Sequence, residues 1–167
     1  MEYARDEGVD WRLMMEQWIV RELGHSVFNP NAESAKYLKK RLPGVSLRKL
    51  KFSDIDRFQR VVNGIVRLDS EEIARRSDYV ICYWDRGAQR GAGTKGELTI
   101  ARFFRKPVYM VTKMQRSNIP GWVLGCTSAI FCSFGELKSF LEEHYGPADE
   151  RIGQASRPRR AHLDRFH

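Results

Sequence analysis

The stretch RGAGTKGEL, residues 90–98, joins a glycine pattern to a carboxylate, Glu97. Three chemistries fit those residue types. A G-x-G-x-x-G run can wrap a dinucleotide pyrophosphate, but it must follow a strand tightly and be answered by an acid about 20 residues on. Here Asp85 to Arg90 separate the strand-like DYVICYW from Gly91, and the downstream region reads TKMQRSN. The dinucleotide pattern lacks its context. In the second reading Thr94-x-x-Glu97 is a capping box, with Thr94 capping a helix and Glu97 reaching back to its amide, and no chemistry at all. In the third, Gly91 and Gly93 let the backbone approach a ligand. Glu97 then projects from the first helical turn at the carboxyl end of a sheet, ionised by the helix dipole. Such a carboxylate can attack an anomeric carbon or stabilise an oxocarbenium-like transition state.

A carboxylate needs elements to hold it. WRLMMEQWIVREL (11–23) spaces its apolar residues as one helical face and stops at Gly24. HSVFNP reads as a short buried strand ended by Pro30, AESAKYLKKRL as a short helix, and Pro43–Gly44 as a turn. Ser53 and Asp56 predict a helix start over 53–68, and Asp69 opens a separate short helix in SEEIARRS. DYVICYW, PVYMVT and TSAIFCS are apolar runs of the kind buried on both faces of a parallel sheet. ELTIARFF between them is helical, and Ser133 with Glu136 forms a capping box for the last helix. Alternating strands and helices predict an α/β, doubly wound, Rossmann- or flavodoxin-like, mostly parallel sheet with helices on both faces. The opening MEYARDEGVDW has no strand character, so the first strand of such a domain is expected to be missing. Residues 1–146 make one domain and 147–167 a basic, flexible tail.

The bulk composition excludes some classes. With 42% hydrophobic and 30% charged residues the chain is an ordinary globule. No apolar run reaches the roughly 20 residues that cross a bilayer, which predicts a cytoplasmic protein without a membrane partner. Cys82, Cys126 and Cys132 lack C-x-x-C spacing and read as small core residues; the four histidines have no metal-ligand spacing, so no metal or cofactor is expected. A net charge of +8 favours anionic partners. A nucleic acid is among these, yet the basic stretches 39–51 and 156–167 carry no aromatic interleaving of the stacking kind.

Residues 77–112, SDYVICYWDRGAQRGAGTKGELTIARFFRKPVYMVT, resemble the core of the nucleoside 2-deoxyribosyltransferase-like proteins. The shared motifs are an Asp-led hydrophobic strand, a Gly-Thr-x-x-Glu helix start and a Lys-Pro-led strand. ELGHSVFNP resembles that family's second strand, and GWVLGCTSAIFCSFGELKSFL its closing strand and helix, so the resemblance spans about residues 1–145.

The resemblance implies cleavage or transfer at the N-glycosidic bond of a (deoxy)nucleoside or its 5′-monophosphate. Glu97 would be the nucleophile at C1′, Asp69 a substrate contact, and Tyr3 a hydrogen-bond partner of the nucleophile. Some members carry a further acid where this chain has Gly91, which leaves Asp85, at the strand end, as a substitute for protonating the leaving base. Asn29 could touch the base, and an Asn-Pro turn explains it equally well. The amides of Gly93 and Thr94 could cradle a 5′-phosphate, flanked by Arg86 and Arg90. The family also implies a homodimer or larger assembly. Two alternatives stand beside this reading. Gly-x-Gly-Thr-x-x-Glu also resembles the phosphate motif of the lysine-decarboxylase-like phosphoribohydrolases. A non-catalytic nucleotide-sensing or nucleic-acid-associated Rossmann-like module fits the missing strand and the basic surface.

Overall fold

The structure, a computed structural model, describes residues 9–146; Tyr3 and the tail at 147–167 lie outside the described residues. Three short strands, β1 (Val80–Tyr83), β2 (Val108–Val111) and β3 (Ala129–Phe131), form a parallel sheet in the order β1-β2-β3. Val80 stands opposite Val108 and Tyr83 opposite Val111, and Tyr109 opposite Ala129. All four residues of β2 are buried, as its continuous apolar run requires.

Because side chains alternate along a strand, β2 feeds two cores. Val108 and Met110 join Cys82 on one face, under α4 (Ile55–Arg75), α6 (Gly93–Phe103) and α7 (Gly121–Cys126), which contribute Ile73, Leu98, Ala101 and Val123. Tyr109 and Val111 face the other way. They meet Met15 and Trp18 of α1 (Val9–Trp18), Ile19 and Leu23 of the wider π-type turn that continues it, and Leu137 and Leu141 of α8 (Phe134–Tyr145). The fold is therefore α/β with a small, all-parallel sheet covered by helices on both faces. A third, outlying cluster packs α2 (Pro30–Arg41) and α3 (Leu47–Ser53) on α4 through Leu42, Leu50 and Val61. Trp11 and Trp18 both pack into the second core.

Local chemistry explains the element ends. Gly24 stops the first helix with φ +67°, a conformation that costs glycine little. Asn29 caps α2, its side chain accepting the Asn31 N–H at 3.2 Å. Ser133 caps α8 and Glu136 reaches back, though to the N–H of Cys132 rather than of the cap itself.

Four expectations need correction. Residues 24–29 join no sheet: HSVFNP is an unpaired connection between helices, not a strand. The helix expected to start at Ser53 is capped by Asp54, which accepts the Arg57 N–H at 2.9 Å, while Ser53 ends α3. That helix does not stop before Asp69 but runs unbroken for 21 residues. Ser70 hydrogen-bonds back to the Val66 carbonyl at 2.6 Å, so the polar Asp-Ser-Glu signal is absorbed inside the helix. Finally, Cys82 and Cys126 are buried but Cys132 is exposed at the end of β3.

Met110, at the centre of β2, is fully buried. Met110→Ala is expected to lower unfolding free energy by about 2–5 kcal/mol, measured by denaturant titration. A loss below about 1 kcal/mol would mean that the centre of the sheet is not the centre of the core.

Candidate functional site

β1 ends at Tyr83, and the chain passes at once into a short helix, α5 (Arg86–Arg90). Asp85 caps it, its Oδ1 accepting the Ala88 N–H at 2.7 Å. Gly91 ends α5, and α6 begins only two residues later, with Ala92 at its cap position and no side-chain cap. The expected capping box is therefore not formed. Helix begins before Thr94, which places Glu97 beyond the first turn, too far along to serve the cap.

Glu97 turns instead into a cavity of about 680 Å³. Its walls come from α1 (Trp11, Arg12, Met15), from residues 25–30, from α4 (Asp69, Ile73) and from β1 with its lead-in, Ser77–Ile81. α4 leads through residues 76–79 into β1. Asp69 lies near enough to Glu97 for the two charges to interact. α6, which carries Glu97, follows the carboxyl end of β1, the end at which open α/β sheets bind ligands. The lining joins Glu97 and Asp69 to further charged residues, Arg12, Glu16, Glu72 and Arg76, and to apolar ones such as Met15, Ile73 and Ile81.

The electrostatics of the Glu97–Asp69 pair are unusual. Burial pushes Asp69 from 3.8 up to about 7, and the neighbouring charge of Glu97 adds to the rise. Burial also lifts Glu97 above the ordinary carboxylate range, with the Arg12 guanidinium acting in the opposite sense. The Asp69 Oδ1 is buried and has no hydrogen-bond partner among the described residues. Two carboxyls that cannot easily both ionise divide into one that holds a proton and one that does not. A protonated carboxyl can supply that proton to a leaving group, and the ionised one can attack an electrophilic carbon.

The other candidate residues are distributed differently. Asn29 lines the same cavity but is engaged, donating its Nδ2–H to Glu16 Oε2 at 3.0 Å as well as capping α2. Arg86 and Arg90 border a separate surface depression with Gln89, Met114 and Asn118. Asp85, Gly91, Gly93 and Thr94 do not line the carboxylate cavity. Tyr3 falls outside the described residues. Sequence reasoning passed over Arg12 and Glu16, which sit on the cavity face of α1. The charged positions within the WRLMMEQW pattern, one turn apart on the helix, were the available signal.

Among the described residues no cluster of three or more His, Cys, Asp or Glu side chains is placed to hold a metal ion, and no helix is long and apolar enough to cross a membrane. Comparison with known proteins finds no matching family model, no matching curated protein and no matching solved structure.

A carboxyl whose pKa rises on folding binds its proton more tightly in the native state. Its contribution to stability is complete in acid and is lost as pH climbs from 3.8 through about 7. Asp69→Asn removes that loss. The melting temperature of the variant minus that of the unaltered chain is expected to grow steadily between about pH 4 and pH 7. A constant difference across that interval would show that Asp69 titrates normally.

Proposed function

We propose that the protein cleaves or transfers the N-glycosidic bond of a (deoxy)nucleoside or its 5′-monophosphate, with Glu97 as nucleophile. The observation that carries this reading is the meeting of Glu97 and Asp69 inside one cavity, with an Asp69 oxygen buried and without a partner among the described residues. An oxygen left unsatisfied in this way is costly unless a ligand completes it.

In the proposed reaction a Glu97 carboxylate oxygen bonds to C1′ while the C1′–N bond breaks. The bonding pair leaves with the base, which takes a proton from the Asp69 carboxylic acid. Water or a second base then attacks C1′, the Glu97 ester oxygen departs as carboxylate, and the proton of the attacking group returns to Asp69. Arg12 offsets part of the burial cost of the Glu97 anion. Asp85 has no part in this scheme, since its carboxylate is already committed to α5. Arg86 and Arg90 border a different depression, so the reading rests on the sugar-facing carboxylates and not on a phosphate grip. The finer fold assignment, a Rossmann- or flavodoxin-like domain, belongs to the same proposal.

Incubation with a panel of deoxynucleosides and their monophosphates is expected to release free base. Glu97→Gln should abolish release, on the order of 10³-fold or more, because the amide cannot form the ester. Asp69→Asn should slow base release and remove the alkaline limb of its pH profile. Unchanged turnover in Glu97→Gln would end the proposal. Tight nucleotide binding without release would replace it with the non-catalytic sensing module.

A further inference from the structure

Three aromatic rings gather on the surface of α6 and α7, away from the carboxylate cavity. Phe103 is 79% exposed, Trp122 70% and Phe104 49%, and none of them lines either depression described above. The Trp122 indole N–H donates to Thr99 Oγ1 at 2.9 Å, and Phe103 stands one helical turn beyond Thr99. Phe103 and Phe104 meet edge to face, their centroids 5.3 Å apart. Leu98 and Ala101 already furnish the core side of α6, so packing does not call for these rings. Scattered exposed apolar residues need no explanation, whereas a contiguous group marks an interaction surface.

The charge around the rings narrows the kind of partner. Residues 86–135 contain eight lysines and arginines against one acid, Glu97. That stretch accounts for seven of the chain's eight net positive charges. Glu97 does not dilute them at this surface. It precedes Thr99 by two residues, about 200° around the helix, and lines the cavity on the other side. Among the described residues none of the eight cations enters an ion pair. Residues 102–106 read RFFRK, the interleaving of cation and ring that 39–51 and 156–167 lack.

Positive charge selects a polyanion, and bare rings select its chemistry. An acidic peptide needs a groove for its apolar side chains, but Trp122 and Phe103 stand on open surface. A duplex keeps its base faces stacked inside, while a single strand offers each base as a flat π surface. Trp122 is prepared for such a partner. Its one polar atom is committed to Thr99, which fixes the ring and leaves apolar carbon exposed.

We propose that the α6–α7 face binds single-stranded nucleic acid, with bases stacked on Trp122 and Phe103 and phosphates drawn by Lys95, Arg102, Arg105 and Lys106. Arg86 and Arg90 extend the same field. Asn118, which shares their depression, lies four residues before Trp122 and so within about 15 Å of it. The face is on the opposite side of α6 from Glu97, so it is independent of the glycosidic reading.

The test titrates the full chain into a fluorescent thymidine strand of about 12 nucleotides, read by anisotropy. Saturable binding is expected, about tenfold or more tighter than to a duplex of equal length. Trp122→Ala and Phe103→Ala should each weaken it by about fivefold to a hundredfold at unchanged melting temperature. Trp122→Phe, which keeps a ring, should cost no more than about threefold. Arg105→Ala should flatten the slope of log affinity against log salt by about 0.7. No binding at low salt would overturn the proposal. So would equal affinity for strand and duplex, or affinity unmoved by removing both rings, since charge alone would then hold the strand. Displacement of the strand by polyglutamate at equal charge would reassign the face to an acidic polypeptide. Concentration-dependent association of the chain, abolished by Trp122→Ala, would reassign it to a second copy; either result overturns the proposal. Strand binding should persist in Glu97→Gln and base release from free nucleosides in Trp122→Ala, so the two readings fail separately.

Discussion

A single four-residue strand constrains the molecule. β2 is buried at every position, and a strand in that situation must be covered above and below. Its alternating side chains divide the helices into two layers, α4, α6 and α7 against Met110 and α1 and α8 against Tyr109. Everything at the carboxyl end of the sheet takes its position from that division. After α5, α6 returns across the Met110 face, and Glu97 on it reaches the cavity shared with Asp69.

The site opposes the fold that holds it. Apolar packing stabilises α4 through Val61 and Ile73, yet the same helix holds Asp69 in surroundings that disfavour its charge. Glu97 sits under the same penalty. Buried carboxyls with raised pKa values are more frequent at functional sites than elsewhere, which is why the proposed function starts from this pair.

Continuous apolar runs made the three strands legible in the sequence, helical apolar spacing the first helix, and the Ser133–Glu136 cap α8. What could not be read depended on tertiary context. HSVFNP has the composition of a strand, but a strand requires a neighbour, and composition does not reveal whether one is there. The Asp69-Ser70 pair has the residue types of a helix start, which the i−4 hydrogen bond of Ser70 neutralises only once the helix has formed around it. Thr94 and Glu97 have capping-box spacing, which fails because α5 and α6 are nearly contiguous and helix begins earlier than the threonine. Glu97 and Asp69 were both identifiable as candidates. Their common cavity was not, since 28 residues separate them and only the return of α6 over α4 brings them together.

The uneven placement of the three thiols gives the molecule a built-in reporter. Cys132 stands in solvent just past β3, while Cys82 lies inside β1 and Cys126 at the end of α7, both enclosed. Burial further drives the Cys82 sulfhydryl up to about 12, leaving almost no thiolate at neutral pH. An alkylating dye would tag one sulfur on the intact protein and reach the other two only when the layers part, so the stoichiometry of modification counts open molecules without any engineered label.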